Sequence, residues 1–226
     1  MTQNAVSRIL IAVFIIIFIA IMMGIFEMWS HLTETMAAKD AEIEALKAKI
    51  MMLTEEKARL KEIVDEVEEA GAAIRAVNPH APEEEVRIMA VRQVAMARKY
   101  EISLDLIIYR DWAEADLRWL DATRRGPCGE VSTAQVWRPT FYVLRPGGNY
   151  YDVDEVYDAG CQYLADCYRT AQRWLGDADK TAVYRLTLAF YNAGMGHRPD
   201  AALYKARVHV RRVEGILVKA ERLGVV

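Results

Sequence analysis

Glu114 is a candidate general acid, because its neighbours in the sequence can give it an apolar setting. Trp112, Leu117 and Trp119 all lie within five residues of it. An apolar environment raises the pKa of a carboxyl group, since it disfavours the anion. A carboxyl group that stays protonated at working pH can give its proton to a departing oxygen. The sequence therefore offers a carboxyl group suited to acid chemistry at this position.

Glu130 is a second carboxylate that could take part in the same chemistry. It follows two turn glycines and precedes Ser132. In one interpretation it lies beside the acid and activates a water molecule. In the other, which its setting favours, it accepts hydrogen bonds from backbone amides and holds the loop that carries Gln135. Both roles stay open at this point.

Charge and composition argue against nucleic acid and against a metal centre. The net charge is -3, so the basic excess typical of a nucleic-acid-binding protein is missing. The three cysteines and four histidines show neither CxxC nor HExxH spacing. We therefore expect no metal, no other cofactor and no nucleic-acid partner. Cys161 and Cys167 should not pair if one helix carries both, because six helical residues separate them by about 9 Å.

The C-terminal part of the chain has the pattern of a mainly α domain. Glutamates follow Pro82 and apolar residues recur on one face, which predicts a helix. Ser103 suits the N-cap of the next helix. Between residues 124 and 151, glycine-rich turns and β-prone residues predict a small β or irregular insertion. The apolar face of the first helix comprises Val86, Ala90, Val94 and Ala97, and later helices are predicted at about 153–175, 180–191 and 199–223.

Three segments, in this order, resemble motifs of the lytic transglycosylase domain of the lysozyme superfamily. Tyr100, followed fourteen residues later by Glu114, resembles the segment that carries the family's catalytic glutamate. The stretch GEVSTAQV, which ends at Val136, is similar to the family's GxxGLMQI segment, and the YNAG that begins at Tyr191 matches its AYNAG motif. Gly160 with Tyr163-Leu164 resembles the helix between the last two motifs. The resemblance covers about Glu83 to Val213.

The resemblance implies a lysozyme-like α domain that cleaves the MurNAc–GlcNAc bond of peptidoglycan with a single glutamate. Glu114 would act first as acid and then as base, removing the proton of the sugar's own C6 hydroxyl. The expected product is a 1,6-anhydromuramoyl end. The residues implied to bind the glycan strand are Glu130, Ser132, Gln135, Tyr191 and Asn192. For the last three, the alternative is a turn or helix-end residue that satisfies nearby backbone groups.

Two other functions stay open beside this one. A hydrolytic muramidase would use a second carboxylate and leave a reducing sugar. A non-catalytic envelope scaffold would bind glycan through the same domain. The chain departs from the family's pattern at four positions, none of which removes the acid: Ala115 and Ser132 replace Ser and Gly, and Phe190 and His209 replace Ala and Tyr.

Aromatic residues cluster shortly after Gln135. In one interpretation they form a platform for stacking sugars along a cleft, and in the other they simply complete a core. These residues are Trp137, Tyr142, Tyr150 and Tyr151.

The N-terminal segment predicts a membrane anchor. Ile9 to Phe26 are eighteen residues without a charge, and as a helix they rise about 27 Å, close to the hydrocarbon thickness of a bilayer. A cleaved signal peptide is the alternative, but its apolar core is usually shorter and no small-residue cleavage site follows. Arg8 before the span indicates a cytoplasmic N-terminus. We therefore expect a single-pass inner-membrane protein that contacts lipid through residues 9–29, with a periplasmic catalytic domain; a phage protein would instead lie in the virion membrane or ejection apparatus.

A heptad pattern follows the predicted anchor. It favours a parallel two-stranded coiled coil, since β-branched residues occupy most a positions and Leu most d positions. The alternative is an amphipathic helix packed against its own C-terminal domain. The a positions are Ile43, Ile50, Lys57 and Val64, and the d positions are Leu46, Leu53, Leu60 and Val67. Gly71 and the turn residues at 78–82 are predicted to break the helical pattern and to mark the domain boundary. The sequence thus predicts an anchor at 1–30, a dimeric helical stalk at 31–78 and a catalytic domain at 79–226.

Overall fold

The computed structural model of the chain describes residues 3–115, residues 134–208 and positions 211, 214, 215 and 218. Within these residues the fold is mainly α, as predicted, and no strand is formed. By packing, the chain divides into two compact units, Met1–Leu60 and Lys61–Val226. The helices are α1 (Gln3–Val77), α2 (Glu83–Tyr100), α3 (Leu104–Ala115), α4 (Arg138–Leu144), α5 (Val153–Leu175), α6 (Lys180–Ala193) and α7 (Pro199–Lys205).

The first unit consists of the N-terminal part of α1. An 18-residue window of this helix has a mean hydropathy of 2.0 and is not buried, so its length and composition allow it to cross a membrane. The apolar heptad residues further along are about half exposed, from 48% at Ile43 to 63% at Ile50. A single chain therefore leaves the heptad face open to solvent from Ile43 to Val64, whereas Val67, the last d position, packs against the core of the second unit. The coiled coil stays a prediction.

The second unit begins within α1. From Lys61 onward this helix contributes to the core, and Ala70, Ala73 and Ile74 are fully buried. Gly71, the first of the two predicted breaks, lies inside the helix, so that prediction is wrong. The second predicted break, at 78–82, is present as the turn that follows Val77. The predicted limits of anchor, stalk and catalytic domain at residues 30 and 78 stay predictions.

Helix α2 forms as its sequence pattern predicts. Pro82 precedes it, three glutamates lie in its first turn where the helix dipole favours negative charge, and its core face is buried. It ends at Glu101, which adopts a left-handed conformation (φ 54°) and donates its N–H to the carbonyl of Ala97. The buried face includes the four residues that the 3.6-residue period selects: Val86, Ala90, Val94 and Ala97.

Helices α5 and α6 form the centre of the second unit. Helix α5 packs against α6, α2 and α4, while α6 also packs against α7 and α2 contacts α3. Both central helices begin at an aspartate N-cap, since Asp152 and Asp179 accept hydrogen bonds from backbone N–H groups of the first turn. Their packed faces bury Tyr157, Leu164 and Phe190 among other side chains. This pair of helices supports the cleft described below.

The predicted β character of the central insertion is wrong for residues 138–144, which form helix α4. Pro139 lies in the first turn, where its fixed φ suits a helix and its missing N–H is not needed. Phe141 is the buried residue of this helix, so packing of its ring overrides the β-propensity of its neighbours. The turns around α4 agree with the irregular part of the prediction.

A polar cluster at Asp158 joins α5 to α2 and α4. Its carboxylate accepts hydrogen bonds from Lys99, from the Tyr100 hydroxyl (2.8 Å) and from Arg145. Burial alone would raise the pKa of Asp158, but these donors outweigh it and the pKa is lowered. Tyr100 thereby fixes the end of α2 immediately before α3 begins.

Candidate active site

One cleft of the second unit gathers four of the residues that the sequence assigned to a site. The cleft has a volume of about 540 Å³ and lies among α3, α4, α5, α6 and the turn before α4. Glu114, Gln135, Tyr191 and Asn192 all contribute to its lining. They belong to three segments of the chain that are far apart in sequence, so the fold itself brings them together.

Glu114 lies in the last described turn of α3 and is half-buried. Its position one helical turn after Arg110 places both residues on the same face of the helix. Trp112, expected to give Glu114 an apolar wall, is buried and is not among the described residues that line the cleft. Leu117 and Trp119, the other two expected walls, lie outside the described residues.

Gln135 adopts a backbone conformation that is uncommon for a residue with a side chain. Its φ is +48°, in the left-handed region, where such residues cost of order 1 kcal/mol and cluster at functional sites. It sits in the turn between Ala134 and Val136, and its half-buried side chain lines the cleft beside Glu114. The fold therefore maintains a strained turn at the point where the Gln135 side chain joins the cleft lining.

Tyr191 and Asn192 lie in the last turn of α6. The C-cap of this helix is Gly194 (φ 97°), whose N–H donates to the carbonyl of Phe190 at 2.8 Å. Asn192 therefore lies near the helix end but is not its C-cap. Its side chain is exposed and lines the cleft, so its amide can reach a bound molecule.

The phenol of Tyr191 is fixed by two hydrogen bonds. It donates to the carbonyl of Ala134 at 2.6 Å and accepts from Nη1 of Arg110 at 3.1 Å. Burial raises its pKa strongly; the charge of Arg110 opposes that shift, and the negative charge of Glu114 adds to it. Tyr191 therefore stays protonated, and its hydroxyl donates that proton in the hydrogen bond to the backbone carbonyl of Ala134. Its ring, 5.3 Å from that of Tyr163, serves as cleft wall.

Beneath this wall lies a buried ion pair. The side chains of Arg110 and Asp111 are completely buried, and their Nε and Oδ1 atoms are 2.7 Å apart. Asp111 also accepts hydrogen bonds from Gln93 at 2.9 Å and from the Tyr157 hydroxyl at 2.7 Å. Burial by itself would lower the pKa of Arg110, but the charge of Asp111 together with the interactions with Tyr191, Cys161 and Tyr157 outweighs it, and the pKa is raised. The guanidinium therefore remains charged next to the cleft.

Cys161 completes the surroundings of Arg110, whose Nη2 donates to its sulfur at 3.3 Å. Burial raises the pKa of this thiol to about 11, so it stays protonated and unreactive. Cys161 and Cys167 are both free and buried, in agreement with the expectation that they do not pair. They pack as small apolar side chains.

Gly160 allows α5 to approach the turn that carries Gln135. A Cβ atom at this position would lie 2.5 Å from Cβ of Ala134 and 3.0 Å from both Nη1 of Arg110 and Cγ2 of Val136. The first distance is far inside van der Waals contact. The absence of a side chain at Gly160 is thus required by the packing behind the cleft.

We expect Gly160→Ala to lower the free energy of unfolding by about 1–3 kcal/mol, the usual cost of overpacking a core. Chemical denaturation of the full chain in detergent measures it. Gly71→Ala is the matched control, because a Cβ at this helical position meets nothing closer than 3.4 Å. That control should be neutral or slightly stabilising. Equal stability of the two variants would contradict the proposed close approach at Gly160.

Sequence reasoning missed several parts of this site, and two of its assignments are not described. Glu130 and Ser132 lie outside the described residues, as do Cys128 and His209. The missed residues that line the cleft are Val136, Thr140 and Tyr163, whereas Trp137 is one of the aromatic residues that the sequence already offered for a cleft. The missed residues that support the cleft are Arg110 and Asp111. The spacing between Gly160 and Tyr163 could have indicated a place for Tyr163 in the site, because residues three positions apart lie on one face of α5.

Comparison with protein-family models, with curated proteins and with solved structures yielded no significant match to this chain. The resemblance to lytic transglycosylases therefore rests on the sequence motifs.

Proposed function

We propose that this chain is a membrane-anchored lytic transglycosylase that cleaves the glycan strands of peptidoglycan, with Glu114 as its catalytic acid and base. The observation that carries the proposal is the convergence of Glu114, Gln135, Tyr191 and Asn192 on one cleft. The three motifs that contain them were identified from the sequence by their resemblance to the family's motifs and by their order.

The proposed mechanism uses one carboxylate. Glu114 is the acidic side chain among the described residues of the lining, and Glu130, the other candidate carboxylate, lies outside the described residues. A hydrolytic enzyme that inverts or retains configuration normally places two carboxyl groups around the scissile bond. A lytic enzyme needs one, since the sugar's C6 hydroxyl replaces water as the nucleophile. Glu114 gives its proton to the leaving oxygen and then takes the proton of that hydroxyl as the C6 oxygen bonds to C1.

Neighbouring groups can hold the strand during these steps. The exposed amide of Asn192 and the half-buried amide of Gln135 can both donate to and accept from sugar hydroxyl and N-acetyl groups. Their positions at a helix end and in a strained turn fix them relative to Glu114. Correct placement of reacting groups lowers the barrier because the entropy of orientation is lost on binding rather than in the reaction.

Product analysis tests this function directly. The full chain, purified in detergent, is incubated with peptidoglycan sacculi, and the released fragments are examined by mass spectrometry. Fragments with 1,6-anhydromuramoyl ends are expected. Fragments with reducing ends would identify a hydrolytic muramidase instead. If a folded chain binds sacculi and releases nothing, the protein is a scaffold and the catalytic proposal is wrong.

We further propose that α1 anchors the protein in the inner membrane with a cytoplasmic N-terminus, and that its heptad segment pairs two chains in parallel. The apolar window of α1 and the open heptad face support this arrangement. Pairing would cover side chains that a single chain leaves half exposed. The domain would then act in the periplasm, where peptidoglycan lies, or at the envelope during phage entry.

Ile50→Cys tests the pairing. In a parallel coil the two copies of position 50 face each other across the a layer, so oxidation of membranes should give a disulfide-linked dimer. Glu44→Cys, on an exposed flank of the same helix, should give much less. A monomer band alone for Ile50→Cys would exclude the coiled coil.

A further inference from the structure

Three exposed aromatic side chains lie close to the cleft in sequence and structure. Trp137 is 62% exposed, Tyr151 56% and Tyr142 39%. Trp137 also lines the cleft that contains Glu114. Of the two interpretations that the sequence left open, a completed core applies to Tyr150, which is 2% exposed, and does not apply to these three.

The guanidinium of Arg138 joins the tyrosines into one surface. Its central carbon lies 5.7 Å from the ring centroids of Tyr142 and Tyr150 and 5.9 Å from that of Tyr151. These distances are typical of cation–π contacts. Arg138 is itself exposed, so the surface presents a positive charge among aromatic rings. We call Trp137, Arg138, Tyr142 and Tyr151 the aromatic surface.

Buried neighbours hold the aromatic surface in place. The Tyr150 hydroxyl donates to the carbonyl of Val136 at 2.6 Å, directly before Trp137. The buried ring of Phe141 lies 5.3 Å from the rings of both Tyr142 and Tyr150. A surface that is ordered before binding loses less conformational entropy when a ligand arrives. The exposed rings are therefore arranged for binding at low entropic cost.

We propose that the aromatic surface binds the part of the peptidoglycan strand that extends beyond the Glu114 cleft. A pyranose ring has a face of C–H groups that can pack on an aromatic ring while its hydroxyl groups stay hydrated, and aromatic side chains with few polar groups commonly line such sites. Arg138 suits the carboxylates of the peptide stems, because a guanidinium can hold a carboxylate with two hydrogen bonds. The aromatic surface begins at Trp137 in the cleft wall, so one strand could occupy both.

This inference rests on the proposed function but is tested through binding alone. Sacculi are sedimented with the full chain in detergent, and all proteins carry Glu114→Gln so that no strand is cut. Trp137→Ala and Tyr151→Ala are each expected to raise the apparent dissociation constant about tenfold, a difference of about 1.4 kcal/mol. Trp137→Phe, which keeps an aromatic ring, should retain most of the affinity.

The chain offers matched controls outside the cleft lining. Trp174 is 54% exposed, and Tyr204 is 69% exposed with its own arginine, Arg207, at 4.7 Å. Trp174→Ala and Tyr204→Ala should change binding less than twofold. If they weaken binding as much as the Trp137 and Tyr151 variants, or if none of the four does, the assignment of the aromatic surface is wrong. In the latter case a protein partner would be the remaining occupant.

Arg138→Gln separates sugar from peptide recognition. It should weaken binding to intact sacculi about tenfold and leave binding to glycan strands stripped of their peptides unchanged. Equal losses on both would overturn the role given to Arg138. Failure of the wild-type chain to cut sacculi would refute the catalytic proposal without altering these binding results, so the two failures are distinguishable.

Discussion

Replacement of Glu114 by glutamine is expected to reduce the rate of anhydromuramoyl release from sacculi by about 10²- to 10⁴-fold, the usual contribution of general acid–base catalysis. Glutamine has nearly the same shape and can still form hydrogen bonds, but it cannot give or take the proton. In the proposed mechanism one carboxyl group performs both transfers, so the loss affects both steps. The rate is measured by quantifying released fragments over time.

The stability of the variant decides how a loss of activity is interpreted. Glu114 is half-buried at the edge of the cleft, and the midpoint of thermal unfolding should change little. Glu101→Gln is the control, because this exposed glutamate lies thirteen residues earlier and outside the cleft lining. It should keep full activity. Activity of Glu114→Gln near the wild-type level would remove Glu114 from the mechanism.

Glu114→Asp refines the same test. The carboxyl group is kept but withdrawn by about one bond length, and a misplacement of about 1 Å can cost about 10²-fold in rate. This variant should therefore show a large reduction in turnover with little change in binding to sacculi. Equal activity of Asp and Glu at this position would indicate a role without proton transfer.

The parts of the fold that follow from local rules could be predicted from the sequence. The prediction of helix α2 was correct for its start, its acidic first turn and its buried face, since each depends on residues within a few turns of one another. The same holds for α5 and α6, whose starts and lengths lie close to prediction. The aspartate N-caps and the 3.6-residue spacing of apolar residues are the local sequence features that make these helices predictable.

Where the prediction of secondary structure from the sequence fails, tertiary packing is the cause. Helix α4 was expected to be a strand or loop because its aromatic residues favour β structure, yet burial of Phe141 and the position of Pro139 select a helix. Gly71 is predicted to break the helix, but burial of Ala70, Ala73 and Ile74 around it keeps the helix continuous. In both cases burial of side chains in the core decides the outcome, and intrinsic propensity is too weak to resist it.

The candidate site also has a part that could be predicted from the sequence and a part that could not. Four of its lining residues could be predicted by comparing sequence motifs, and these four meet in one cleft. The support behind it was missed because charged residues are normally assigned to the surface. A signal was nevertheless present: Arg110 lies three and four residues after Ile107 and Leu106, which places its side chain on the buried face of α3. A charge at that position required a buried partner.

Loss of either partner of the buried Arg110–Asp111 ion pair is expected to have a large effect on stability. We expect Arg110→Met and Asp111→Leu each to lower the free energy of unfolding by about 3–5 kcal/mol, because each leaves an uncompensated charge in the core. The side chains of both residues are 0% exposed, so water cannot replace the lost partner. Chemical denaturation of the full chain in detergent gives the values.

An exposed pair provides the comparison. Arg169 and Asp166 are 2.8 Å apart on α5 with side chains 53% and 36% exposed, and Arg169→Met should cost less than about 1 kcal/mol. The difference between the two arginine variants isolates the effect of burial. A small loss for Arg110→Met would show that the pair is hydrated in solution.

The double variant Arg110→Met/Asp111→Leu separates charge from hydrogen bonding. With both charges removed, the loss should be clearly smaller than the sum of the single losses, since contacting residues are not additive. It should not vanish, because Tyr157 and Gln93 donate to Asp111 and Tyr191 accepts from Arg110, and each buried polar group left without a partner costs about 1–3 kcal/mol. At temperatures where the double variant is folded, its cleavage of sacculi should still fall, since the Tyr191 wall of the cleft has lost its donor. Wild-type cleavage by this variant would mean that the Ala134 carbonyl alone holds Tyr191 in place, and that the ion pair contributes to stability without shaping the site.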